Sequence, residues 1–112
     1  MIKNSIVLVP FPFDDLSASK VRPALCLTNT IGYHKHVIIA FISSRIPDDL
    51  LESDFVILKN SKNAKGTGLA LDSVIRVHKM VTIPVSLIKR KLGEISEPVN
   101  LEISILIRLL FE

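Results

Sequence analysis

Residues 6–29 read IVLVPFPFDDLSASKVRPALCLTN, and the folding of this stretch decides the rest. It divides into two apolar runs joined by a polar loop. Alternate residues of a strand share a face, so Val7, Val9, Phe11 and Phe13 take one side and Ile6 and Leu8 the other. Pro10 and Pro12 have no amide hydrogen to give a ladder, which places the end of this strand at a sheet edge or already in loop. Residues 14–20, DDLSASK, are turn material, rich in side chains that bond their own backbone. Pro23 then starts a second strand over residues 24–28 and forces Arg22 to be extended. A guanidinium held in that way beside a loop is well placed to meet an anion.

Outward from this hairpin, residues 31–35 are a turn. Residues 36–43, HVIIAFIS, are nearly continuously apolar and β-branched between turn signals, the pattern of a central strand buried on both faces. Ile46-Pro47-Asp48-Asp49 ends it, and the segment around Leu50-Leu51 is irregular or one helical turn. A short strand over 55–58 precedes residues 60–68, NSKNAKGTG, a flexible basic loop by composition. Residues 73–77 form a strand, and 80–83 continue it after a kink or start the next. Pro84 suits the first turn of a short helix to about residue 89, and 90–95 give a last strand crossing Gly93. Ser96 caps a final helix with Glu97 and Pro98 in its first turn, running to about residue 110. Its Leu101, Ile105 and Leu109 make an apolar stripe that Ile103 and Ile107 broaden. A helix apolar almost all round is deeply buried or meets a second subunit. The expected architecture is mainly β with short helices, a small barrel-like fold with a C-terminal helix.

A chain of 112 residues, 48% hydrophobic, is one folded domain over 1–112. Its one cysteine, Cys26, lies in an apolar run and reads as a small buried hydrophobe in a reducing compartment, which implies the cytoplasm. The longest apolar stretch, residues 101–111, contains Glu102, Ser104 and Arg108 and is too short to span a membrane. Residues 1–13 do not read as a signal peptide, being broken by prolines and followed by aspartates. The net charge of +3 hides an asymmetry: residues 59–91 hold eight cations against one anion, Asp72, while 48–54 hold four acids. Such a basic segment suits a phosphate-backbone partner, or else is a solvated lysine-rich surface.

The run PFPFDDLSASKVRPALCLTN resembles the opening of the MazF/PemK toxins, the endoribonuclease half of bacterial type II toxin–antitoxin pairs. IIAFISSR at 38–45 and TGLALDSVIRVHKMVTIPVSLIKRKLGEIS at 67–96 continue the likeness over almost the whole chain. The resemblance implies an SH3-like barrel, related also to CcdB-like toxins, that dimerises around a groove and cleaves single-stranded RNA such as mRNA without metal or cofactor. It also implies a cognate antitoxin, acidic where it binds, in the same groove, and a 14–21 loop that closes over the substrate.

Metal-free RNA cleavage uses the neighbouring 2′-OH as nucleophile. The enzyme must take that proton, stabilise charge on phosphorus and protonate the departing 5′-oxygen. Arginine suits the middle task through its planar, always charged fork, and a hydroxyl adds one more donor. The family places these roles at positions matching Arg22 and Ser43, with Ser44 the rival hydroxyl; from the residues alone, Arg22 could equally serve a surface salt bridge. Where one branch of the family has Arg-x-Asp, this chain has Arg76-Val77-His78. Residues i and i+2 of a strand face the same side, and an imidazole titrates near pH ~6.5. His78 is therefore a candidate acid–base group, with a strand-edge histidine as the alternative, and Arg76 a phosphate contact. Lys20, Ser44, Arg45, Arg76 and Lys79 are the expected RNA-binding set. No metal site is expected: His34 and His36 lack a third ligand nearby, and Asp14-Asp15 and Asp48-Asp49 read as turn residues. Gly66-Thr67-Gly68 is not a phosphate-cradling motif. Phe11, Phe13 and Tyr33 could stack on bases. Two other classes stay open, a non-enzymatic toxin that binds a protein target and an RNA-binding barrel without chemistry.

Overall fold

The computed structural model describes residues 1–11 and 20–112. Its strands are β1 (Ser5–Pro10), β2 (Val21–Cys26), β3 (His36–Ser43), β4 (Asp54–Ile57), β5 (Ser73–Pro84) and β6 (Arg90–Glu94). They pair antiparallel in one sheet of order β4-β5-β3-β2-β1-β6, and a helix, α1 (Glu97–Leu110), follows. The expectations for Phe13, for Asp14-Asp15 and for closure of the 14–21 loop fall on or across residues 12–19, outside the described residues.

β2 starts earlier than Pro23 implied, at Val21, and ends at Cys26. Pro23 is tolerated inside it because it lies opposite Leu8 of β1, while pairing with β3 begins only at Ala24↔Phe41. On that side β2 is still an edge, where a missing amide hydrogen does no harm. The continuous apolar pattern of β3 has the expected cause. Val37 and Ile39 join Val7, Val9, Ala24, Cys26 and Ile83 in one core layer; Ala40 and Ile42 join Ile6, Leu25, Ile75 and Val77 in a second, on which α1 sets Val99 and Ile103. Cys26 is fully buried, and burial pushes its thiol up to about 11 against the opposing charge of Lys91, so it is a packing residue.

β5 runs through both segments foreseen for it, with the kink between them explained by the register. Ala40 of β3 faces Met80 while Phe41 faces Arg76, so Val77, His78 and Lys79 bulge out of the ladder. The NSKNAKGTG segment is less free than its composition suggests. It contains a 3₁₀ turn at Lys62–Ala64, buries Thr67, and ties to β6 through the Glu94 N–H donated to the Gly66 carbonyl at 2.8 Å. Gly66 and Gly68 have φ of +78° and +75°, and a Cβ on Gly68 would overlap the Leu92 carbonyl. The segment leaves β4 at one edge of the sheet and rests on β6 at the other, across the open seam of the barrel.

Ser96 caps α1 as read from the sequence: its Oγ accepts from Val99 N–H at 3.4 Å, and Pro98 occupies the first turn. The face turned inward is Val99, Ile103, Leu106 and Ile107. The other stripe, Leu101, Ile105 and Leu109, remains 58%, 53% and 51% exposed. No helix among the described residues is long and apolar enough to cross a membrane.

Candidate functional site

The ladder between β2 and β3 stops at Ala24↔Phe41, and beyond it the two strands become walls of a groove of about 690 Å³. Arg22 and Ser43 each stand two residues past that last pair, one on each wall. β2 contributes Arg22 and Pro23, the end of β3 contributes Phe41, Ile42 and Ser43, and Ser44 and Arg45 follow directly. β5 adds Arg76 and, by way of the bulge, Lys79 and Met80. Residues 68–71 and Leu92 form the far wall. Arg22, Arg45, Arg76, Lys79 and Arg90 are its charged lining, and no acid lines it among the described residues. A concave site whose described charges are all positive attracts and focuses a polyanion.

Ser43 shapes the turn after β3. Its Oγ accepts from Arg45 N–H at 3.0 Å, whereas its own O–H reaches only the Arg45 carbonyl at 3.4 Å. That long contact leaves the hydroxyl proton for a better acceptor such as an anionic oxygen. Arg22 is exposed at the groove wall.

Behind the groove stands a carboxylate. Asp54 lies opposite Arg76 across the β4–β5 ladder and accepts its Nε–H at 2.9 Å and Nη2–H at 3.3 Å. It also accepts the Leu51 N–H at 2.9 Å. Burial pushes the Asp54 carboxyl upward, but the Leu51 amide, then Arg76 and the His78 ring outweigh it and hold it below the ordinary carboxylate range. His78 Nδ1 is 4.0 Å from the same carboxylate and 2.8 Å from Ser53 Oγ.

Six of the residues expected from the sequence therefore converge on one groove: Arg22, Ser43, Ser44, Arg45, Arg76 and Lys79. Two do not line it. Lys20 is exposed where β1 and β2 separate, its carbonyl accepting from Phe11 N–H at 3.1 Å. His78 shares Asp54 with Arg76, but the bulge turns it out of the lining. Phe11 lines the groove with its ring edge-to-face on Phe41 at 5.2 Å, while Tyr33 is 93% exposed on its turn, outside the lining. Arg90 and Asp54 were not anticipated. Arg90 could have been found from pairing alone, since Leu8 of β1 faces Pro23 on one side and Arg90 on the other. Asp54 needs the β4–β5 register. No group of three or more His, Cys, Asp or Glu able to hold a metal occurs among the described residues.

Among solved structures, the chain is similar to the Mycobacterium tuberculosis toxin MazF-mt6, with a TM-score of 0.71, 22% identity and coverage of 96% of this chain and 95% of that one. It is also similar to an endoribonuclease in complex with its cognate antitoxin from mycobacterial species, with a TM-score of 0.68, 11% identity and coverage of 95% and 89%. At these identities the likeness shows a shared fold. No curated protein matches it in sequence. The model of the PemK-like, MazF-like toxins of type II toxin–antitoxin systems matches residues 3–111, and the chain belongs to that family.

Proposed function

We propose that this toxin is an endoribonuclease that cleaves single-stranded RNA, mRNA in the cell, at specific sequences and without a metal ion. The observation that carries the reading is that Arg22 and Ser43 both line, where β2 and β3 part, a groove whose charged lining among the described residues is five cations. That donor set fits a phosphodiester and not a metal ion. The likeness to an endoribonuclease bound to its antitoxin supports the same class.

In the reaction the 2′-oxygen loses its proton and bonds to phosphorus, and the bond from phosphorus to the 5′-oxygen breaks. That oxygen takes a proton, leaving a 2′,3′-cyclic phosphate and a 5′-hydroxyl. Arg22 gives paired N–H donors to the non-bridging oxygens as charge builds, and the Ser43 hydroxyl adds one. Arg45, Arg76, Lys79 and Ser44 hold the flanking backbone, Lys20 meets it at the rim, and Phe11 offers a ring to a base. His78 is the acid–base group: Ser53 engages its Nδ1, which leaves Nε2 for the proton. This role requires the scissile ribose to pass over the Arg76 edge of the groove. If His78→Gln keeps the wild-type rate and pH–rate profile, His78 has no such part.

The toxin works in the cytoplasm as a homodimer, and the exposed stripe of Leu101, Ile105 and Leu109 is the kind of surface a second copy covers. A cognate antitoxin with an acidic segment neutralises it by filling the basic groove. The test is incubation of the purified protein with a mixed RNA pool in EDTA, followed by mapping of ends. Cyclic-phosphate ends at a recurring sequence are expected. Bound but intact RNA would leave a binding module, and neither binding nor cleavage would favour a toxin acting on a protein target.

A further inference from the structure

Among the described residues Arg76 is the only groove cation with a carboxylate partner. The Asp54 side chain is 0% exposed, Arg76 20%. A guanidinium has five N–H donors, of which Asp54 takes one on Nε and one on Nη2. The remaining three belong to the outer part of the fork, on the residue that lines the groove. The carboxylate is itself fixed from two sides. The turn before β4 closes on it, with Leu51 N–H donating to Oδ2 at 2.9 Å and Asp54 N–H donating to the Leu51 carbonyl at 3.0 Å. The β5 bulge is pinned to the same turn by Val77 N–H donating to the Ser53 carbonyl at 3.1 Å.

Resting on the endoribonuclease reading above, we propose that Asp54 is a positioning residue that presents the outer edge of the Arg76 guanidinium to an RNA phosphate. A long, partly exposed arginine otherwise loses side-chain freedom when RNA arrives; here that ordering is done in advance by the fold. The sign of the effect separates this role from simple electrostatics. Removing a negative charge beside a basic groove makes the groove more positive and should tighten RNA binding. Loss of positioning does the reverse.

The experiment is a double-mutant cycle on cleavage of an RNA oligonucleotide, using Asp54→Asn, Arg76→Ala and the pair, with a thermal melt of each. Asp54→Asn is expected to lower kcat/KM by about 10- to 100-fold, the range for losing a hydrogen bond to a charged group. The pair should be no slower than Arg76→Ala alone, because both changes remove one device. Arg76→Lys, which keeps the charge without the fork, should behave like Asp54→Asn and answers the same question should Asp54→Asn fold poorly. A rate for Asp54→Asn within twofold of wild type, or effects that multiply in the pair, would overturn the proposal. The wild-type Arg76 Nε–H should also exchange slowly with solvent in the absence of RNA, and quickly in Asp54→Asn. Fast exchange in the wild type overturns the Asp54 role whatever the chain does to RNA, whereas slow exchange in a protein that leaves RNA uncut refutes only the endoribonuclease reading.

Discussion

Gly93→Ala tests how the groove's far wall is held. A Cβ on Gly93 would overlap the Gly66 carbonyl oxygen and stand 2.6 and 2.7 Å from the carbonyl carbon and oxygen of Thr67. All three are backbone atoms, so no side chain can swing aside. Residues 66–68 must lift from β6, which breaks the 2.8 Å hydrogen bond from Glu94 N–H to Gly66 and moves residues 68–71. Overpacking of this kind costs about 1–3 kcal/mol, and the lost hydrogen bond adds ~1 kcal/mol. The expected loss is about 2–4 kcal/mol, a large share of the ~5–15 kcal/mol that holds a typical domain together. Gly32→Ala is the control: its φ is +75° but nothing lies within 4 Å of the added carbon. It should lose only the left-handed backbone penalty of about 1 kcal/mol. Equilibrium urea unfolding at constant slope gives both values. The reasoning is refuted if Gly93→Ala falls no further than Gly32→Ala.

Ser43→Ala should lower the cleavage rate by about 100- to 1,000-fold, as loss of a transition-state donor does, and Ser44→Ala by less than about tenfold; the reverse order in single-turnover assays makes Ser44 the catalytic hydroxyl. Because the Asp54 carboxyl is held below its ordinary value, its contribution to stability is complete above pH ~3.9 and is lost as pH falls through the lower folded value. Asp54→Asn should therefore flatten the fall of stability with pH below ~4, and urea melts from pH 7 downward showing an unchanged slope would contradict this. Ile105→Asp should leave monomer stability within about 0.5 kcal/mol, being on an exposed face, yet halve the mass seen by sedimentation; an intact dimer would place the interface elsewhere.

Much of this molecule is written locally in its sequence. The two-sided apolar pattern of β3 and the Ser96 cap with Pro98 behind it need no distant contact to be read. Arg22 and Ser43 were legible as site candidates through the family resemblance, and with Ser44 and Arg45, all at strand ends, they line one groove. What escaped depends on register between segments far apart. Period two placed Arg76 and His78 together, and they do share Asp54. The three-residue bulge that puts Lys79 in the groove and leaves His78 outside its lining is visible only against β3. Asp54 looked like one more acid in a polar turn until β4 paired with β5. Residues 60–68 looked flexible because glycine, lysine and asparagine dominate them. Gly68 instead serves a close approach to β6 and Gly66 a left-handed turn beside it, tertiary facts that composition does not hold. The apolar stripe read for α1, Leu101, Ile105 and Leu109, stays exposed, and packing buries Val99 and Ile103 instead.

The most direct measurement is the single-turnover rate of wild type and Arg22→Ala on one RNA oligonucleotide in EDTA, beside an oligonucleotide carrying a single 2′-deoxy sugar at the scissile position. The account predicts a fall of about a thousandfold for Arg22→Ala, with both proteins still folded, and no cleavage of the 2′-deoxy strand. Arg22→Ala cutting at the wild-type rate, or a 2′-deoxy strand cut as fast as RNA, would contradict it.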